Sequence, residues 1–90
     1  MKPPAYIEGA KVIKWAWSES QPFGVVSNED GLEREEIYSL AICQYEGSKD
    51  VYRFSCNKNW ETIQDGIYKE IEHAIEFLPD QYKHAERNWH

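Results

Sequence analysis

The sequence predicts an α+β domain: an antiparallel sheet of about five strands packed against one C-terminal helix. Two observations carry that prediction. Residues 36–56 hold two runs rich in β-branched and aromatic residues on either side of Gly47-Ser48-Lys49-Asp50, the pattern of a β-hairpin. Ile71, Ala74, Ile75, Leu78 and Tyr82 then recur at i, i+3, i+4, i+7 and i+11, the apolar stripe of a helix. The 90 residues amount to one domain, 1–90, with a loose tail over 83–90 unless Trp89 docks back.

Taken in order, Ala5 to Trp17 reads as a long strand, with Gly9-Ala10 as a bulge or a point of close approach. Ile13, Trp15 and Trp17 share one parity; Val12, Lys14 and Ala16 take the other. Trp15 and Trp17 are expected either to pack on the C-terminal helix or to form an aromatic platform for a partner. Ser18 to Pro22 is a loop and Phe23 to Ser27 a second strand. Asn28-Glu29-Asp30-Gly31 is a turn, with Gly31 able to take a positive φ. Leu32 to Glu35 returns as an acidic edge protected by its charge, or runs on into the Ile37 strand with a bend near Glu35.

In the central hairpin, a turn at Ser48-Lys49 sets Tyr45 opposite Tyr52, Cys43 opposite Phe54 and Ala41 opposite Cys56. Those six share a face with Ile37 and Ser39, and this more apolar face is assigned to the core under the helix. The far face carries Tyr38, Leu40, Ile42, Gln44, Val51, Arg53 and Ser55. Its Tyr38/Leu40/Ile42 patch must be covered by other strands, by a second copy of the chain, or by a partner. After a turn at Asn57-Lys58-Asn59, Trp60 to Gln64 alternates as a strand, although Thr62-x-x-Asp65 is close to a capping box. Asp65-Gly66 is read as a turn and the helix as starting near Lys69. Pro79 stops the helix near Phe77 or kinks it, with Tyr82 in phase with a kinked continuation.

Charge excludes one class of partner and suggests another. The net charge is −6, against nucleic acid binding, which needs a basic patch. Residues 1–17 carry Lys2, Lys11 and Lys14 against Glu8, a balance of +2. Residues 18–36 carry Glu19, Glu29, Asp30, Glu33, Glu35 and Glu36 against Arg34, a balance of −5, which suits a basic partner. Four Trp, six Tyr and three Phe help a chain this short to build a core. The stretch Met1-Lys2-Pro3-Pro4 leads into a strand without a secretory signal, and no run has the apolar length of a membrane span, so a cytoplasmic location is expected. Cys43 and Cys56, diagonal in the expected register, are then reduced buried thiols, or a redox pair if a slipped register sets them face to face.

The motifs that carry chemistry are sparse. Glu70-x-x-His73 has the spacing of carboxylate-bridged metal sites, but those need two copies and two further carboxylates; His73 falls opposite the apolar stripe and is read as solvated. His84 and His90 lie in the tail. Neither cysteine has a basic neighbour on its strand face to lower its pKa. No phosphate loop, nucleophile elbow or zinc spacing occurs, so no catalytic, metal or cofactor residue is assigned.

Leu40-Ala41-Ile42-Cys43-Gln44-Tyr45-Glu46, Tyr52-x-Phe54-x-Cys56, Trp60-x-x-Ile63-x-Asp65 and Ile71-Glu72-x-Ala74-Ile75-Glu76 together resemble a group of small uncharacterised bacterial proteins, strand-rich with one C-terminal helix. The resemblance covers the C-terminal half, rests on core-type residues, and implies a bacterial cytosolic setting with no known activity.

The functional expectation is a small acidic protein-binding module, in its extreme form an inhibitor or immunity-type protein for a basic partner. Its contact residues would come from Glu29, Asp30, Glu33, Glu35, Tyr38, Leu40, Ile42 and Phe77, the last an aromatic among Glu72, Glu76 and Asp80 unless the N-terminal strand or Trp89 covers it. The alternatives are a small-ligand binder or minor enzyme with a thiol-lined pocket between sheet and helix, and a homodimer formed through Tyr38, Leu40 and Ile42.

Overall fold

A computed structural model of the chain describes residues 2–27, 34–80, 82 and 89–90. Its centre is an antiparallel five-stranded sheet in the order β1-β2-β5-β6-β7, formed by β1 (Tyr6–Ile7), β2 (Ala10–Trp17), β5 (Ser39–Gln44), β6 (Val51–Cys56) and β7 (Thr62–Tyr68). The strands β3 (Gly24–Ser27) and β4 (Arg34–Ile37) form a separate two-stranded ribbon, and one short helix, α1 (Ile71–Glu76), follows β7.

The expected long N-terminal strand is a hairpin. Glu8 and Gly9 have φ of 51° and 80°, and Tyr6 pairs with Lys11 and Ile7 with Ala10. Two successive positive-φ residues make the turn whose twist matches antiparallel strands. The bulge lies further on: the β2–β5 register shifts between Val12 and Lys14, around Ile13. That extra residue brings Val12 into phase with Trp15 and Trp17 and leaves Ile13 exposed.

The central hairpin forms two residues out of the expected register. Cys43 faces Tyr52, Ala41 faces Phe54 and Ser39 faces Cys56. Gly47, at φ 80°, sits in a β-turn closed by the Ser48 amide on the Tyr45 carbonyl at 3.0 Å, which lengthens the loop. Because the shift is even, every side chain keeps its face. Tyr45 and Tyr52 still touch, as diagonal neighbours with ring centroids 5.3 Å apart at 86°.

The ribbon arm returns as β4 and the chain enters β5 at once, with the bend at Tyr38 rather than Glu35. The Ile37 carbonyl accepts from Phe23 in the ribbon, and the Tyr38 amide donates to Cys56 in the main sheet at 2.9 Å. Phe23, Val26 and Ile37 from the ribbon join Ala16, Leu40, Leu78 and Tyr82 in one core cluster, while Ile42 and Val51 pack with Ala74 of α1.

These contacts correct the layer order. The helix covers the Leu40/Ile42/Val51/Arg53 face, not the Ala41/Cys43/Phe54 face. The physical reason is that Leu40 and Ile42 are larger than Ala41 and Cys43, and the ribbon completes the cover beside them. Leu40 and Ile42 are fully buried and Tyr38 is 9% exposed, so of the three covers expected for this patch it is the chain itself, and neither a partner nor a second copy, that buries Leu40 and Ile42. The opposite face packs Ile7, Ala10, Ala41, Cys43, Phe54, Cys56 and Trp60, with Trp15 and Trp17 packed against this cluster instead of the helix.

Asp65-Gly66 is not a turn. Strand β7 runs through it, with Asp65 opposite Phe54 and Gly66 opposite Arg53. A Cβ at Gly66 would lie 3.1 Å from Tyr68 Oη and 3.2 Å from its ring, so glycine lets that ring lie over the strand. The strand consumes the start of the expected helix, and α1 is only six residues long, ending at Phe77 before Pro79. The stripe survives the break: Leu78 and Tyr82 are 4% and 1% exposed, with the Tyr82 amide on the Pro79 carbonyl at 2.8 Å. At the chain end Trp89 docks back, the alternative the sequence allowed to a loose tail. Trp89 bridges to Ala16, and the His90 amide donates to the Trp15 carbonyl at 2.8 Å. Residues 83–88, with His84, and the turn 28–31 lie outside the described residues. Among the described residues no helix is long and apolar enough to cross a membrane.

Candidate functional site

Where β4 passes into β5, the loop after β6 meets it and leaves an open groove of about 320 Å³. Arg34, Glu35, Glu36 and Tyr38 line one side, and Asn57, Lys58 and Asn59 the other. Local sequence builds both walls. Asn57 is an Asx-type organiser: its Oδ1 accepts the Asn59 amide at 2.9 Å and the Glu61 amide at 3.0 Å, and its Nδ2 donates to Glu61 Oε1 at 2.9 Å. Ser39 Oγ donates to the Asn57 carbonyl at 3.2 Å, tying the loop to β5. Trp60 closes the loop in the left-handed region, at φ 62°. Its ring sits 6.0 Å from Trp15 and 5.9 Å from Trp17, and the packing of that cluster holds the strained backbone.

The groove is built around a cation. Lys58 Nζ lies 4.7 Å from the centroid of the Tyr38 ring, and Tyr38 Oη donates to Glu36 Oε2 at 3.0 Å. An ammonium over an aromatic face with a carboxylate bound to the same phenol is a recognition pattern for lysine and arginine. The side chains lining the groove carry two positive and two negative charges, so its local balance is even.

The expected contact residues separate in space. Glu35 and Tyr38 come together in the groove. Leu40 and Ile42 are buried beneath α1 and the ribbon. Phe77 is 59% exposed, uncovered by the N-terminal strand or Trp89, and stacks on His73 at 5.3 Å away from the groove. Glu29, Asp30 and Glu33 lie outside the described residues. Sequence reading missed Glu36, Asn57 and Lys58, because an Asn-Lys-Asn stretch reads as a turn alone; only the Asx pattern of Asn57 hints at a fixed loop. A second groove, of about 470 Å³, lies between the Glu8-Gly9 turn and the Tyr45–Ser48 loop, where Tyr45 Oη donates to the Glu8 carbonyl at 2.8 Å and Gln44 Nε2 to the Ser48 carbonyl at 3.0 Å.

The cysteines face away from α1, so among the described residues they do not line the space between sheet and helix. Cys43 and Cys56 are unbonded and fully buried. Burial, and after it the neighbouring Cys56, pushes the Cys43 thiol up to about 12. Burial pushes Cys56 up to about 11. Such thiols are protonated at neutral pH and poor nucleophiles. Alkylating reagents are therefore expected to label both only after unfolding; rapid labelling of the native protein would refute this. Both folded pKa values exceed the unfolded ones, so the stability they contribute is complete below about pH 9 and is lost as pH rises toward 11–12. Urea unfolding of wild type and Cys43→Ala across that window should show a shallower alkaline loss in the variant. His73 Nε2 lies 3.6 Å from Glu70 Oε2 as a solvated i, i+3 pair, and no metal-ligand group of three occurs among the described residues.

No protein-family model, curated protein or solved structure matches the chain.

Proposed function

We infer that this protein is a small acidic binding module that takes a basic segment of a partner protein in the groove beside the β3–β4 ribbon. An inhibitor or immunity-type protein for a basic enzyme is the extreme form of that role. The observation that carries the reading is Lys58 over Tyr38, with Glu36 on the phenol: the chain's own lysine occupies the place a partner's lysine or arginine would take. The acid-rich run 18–36 supplies the long-range attraction that steers such a partner, and Glu35 and Glu36 mark where that run meets the groove.

The test is a pull-down with tagged protein from its native lysate at low and moderate salt, run beside Glu35→Lys/Glu36→Lys and Lys58→Ala variants. A basic protein retained by the wild type should bind the double reversal about 5- to 30-fold more weakly, at about 0.5–1 kcal/mol per rim charge. The loss should fall mainly on the association rate. Lys58→Ala, which uncovers the Tyr38 ring and removes a like charge, should tighten binding. Retention unchanged by all three substitutions would refute the groove. The thiol-dependent ligand or enzyme reading has no comparable support, because both cysteines are fully buried on the sheet face away from α1.

A further inference from the structure

The fold leaves one corner of its helix-side sheet face without a cover. Opposed residues of an antiparallel ladder point to the same face, so Tyr6 of β1, Lys11 of β2 and Gln44 of β5 form one cross-strand row. By alternation Gln44 shares the face of Leu40 and Ile42. The ribbon and α1 cover that face further along, but no residue of either lines the groove of about 470 Å³ built on this row. Ile13 is the bulged residue of β2, without a partner in β5, and the bulge turns it out into the groove at 38% exposure. Bulges re-aim side chains in this way beside binding sites. Tyr45 forms a second wall. Its Oη bond to the Glu8 carbonyl ties the β5–β6 loop to the β1–β2 turn and fixes the ring. Tyr6 stands 61% exposed beside them. Of the six large hydrophobic side chains exposed among the described residues, three therefore line this one groove, a grouping that scattered surface residues do not make.

The same groove carries one charge of each sign. Lys11 belongs to the floor row and Glu46 to the loop, and among the described residues neither enters an ion pair. Two opposite charges that do not neutralise each other, set beside two phenol rings and an isoleucine, complement a molecule with both charges and an apolar body. We propose that this groove binds a free amino acid with an aromatic side chain. Lys11 takes the carboxylate and Glu46 the ammonium, each through a charge-assisted hydrogen bond. The side chain lies among Tyr6, Ile13 and Tyr45, where offset and edge-to-face ring contacts are available. A volume of about 470 Å³ falls within the range of small-ligand pockets, roughly 300–1,000 Å³. The site shares no lining residue with the groove beside the ribbon, so it stands apart from the binding of a basic segment there.

Titration of the isotope-labelled protein with L-phenylalanine, followed through its amide chemical shifts, tests the idea. Saturable shifts should centre on Gly9, Lys11, Gly47 and Ser48, which line the groove. Phenethylamine lacks the carboxylate and N-acetyl-L-phenylalanine lacks the ammonium, and each should bind about 3- to 10-fold more weakly. L-alanine, without a ring, should bind more weakly again. Lys11→Met should erase the preference over phenethylamine, and Glu46→Gln the preference over N-acetyl-L-phenylalanine. Tyr6→Ala should weaken every ligand that carries a ring, while Phe77→Ala, at the end of α1, should change none. Lys11, Glu46 and Tyr6 are all exposed, so these variants keep the fold. Shifts that fail to saturate, or that centre elsewhere, would overturn the proposal. So would preferences that survive both charge substitutions. Equal binding of all three ring compounds by the wild type would mean that neither charge is read; it would give the groove to an apolar side chain of a partner and overturn the proposal too.

Discussion

Replacing Arg53 with alanine is expected to destabilise the protein by about 2–4 kcal/mol, from a lost buried hydrogen bond and the cavity left behind. Arg53 is 7% exposed, in the middle of the sheet face that α1 covers. Its Nη1 donates to the Ala74 carbonyl at 2.7 Å, and its guanidinium lies 4.8 Å from the Tyr68 ring centroid. Burial lowers its pKa from the ordinary arginine value, opposed by the phenols of Tyr68 and Tyr82. The contact explains how so short a helix ends. The last carbonyls of a helix have no internal partner, and Pro79 stops the chain from supplying more amides. Arg53 supplies a charged donor to one of them, with the sign that favours a helix C-terminus. Arg53→Met keeps the stem and fills the space, so it should lose only about 1–2 kcal/mol, the value of the hydrogen bond. Urea midpoints at unchanged m-value measure both. A loss below about 1 kcal/mol for the alanine variant would mean that Arg53 does not tie helix to sheet.

The second large effect is expected at Ile42. It is fully buried and packs with Val51 and Ala74. Ile42→Ala should cost about 2–5 kcal/mol, the usual range for deleting a buried isoleucine side chain. Phe77→Ala, at a side chain 59% exposed, should stay within about 1 kcal/mol. The pair of substitutions discriminates between the two possible sheet faces for the helix. If α1 lay on the Ala41/Cys43/Phe54 face, Ile42 would be an exposed residue and its loss nearly neutral.

Local pattern carried much of the fold into view. Alternation in 36–56 marks β5 and β6 and separates their faces correctly even though the register was two residues off, because the side-chain period is two. The apolar stripe marks Ile71, Ala74 and Leu78 as inward-facing, and Tyr82 stays inward across the proline. The candidate groove was half legible: Glu35 and Tyr38 stood out as acid and aromatic, while Lys58 is one cation in a turn until Tyr38 is placed beneath it.

What the sequence by itself determined is therefore the β5 and β6 hairpin with its two separate faces, one helical segment with an inward stripe, and the acidic character of the 18–36 run. Those are local properties, set by periodicity and by residue type. The tertiary structure decided what packs on what. The helix chose the Leu40/Ile42 face because the ribbon and the chain end complete a cover there, a sum over segments far apart in sequence. Strand β7 overrode the Asp65-Gly66 turn because β6 offered it a full ladder, and backbone pairing with a partner outweighs a two-residue preference. The groove exists because the bend at Tyr38 and the Asn57 loop arrive at the same place, and neither segment alone records that meeting.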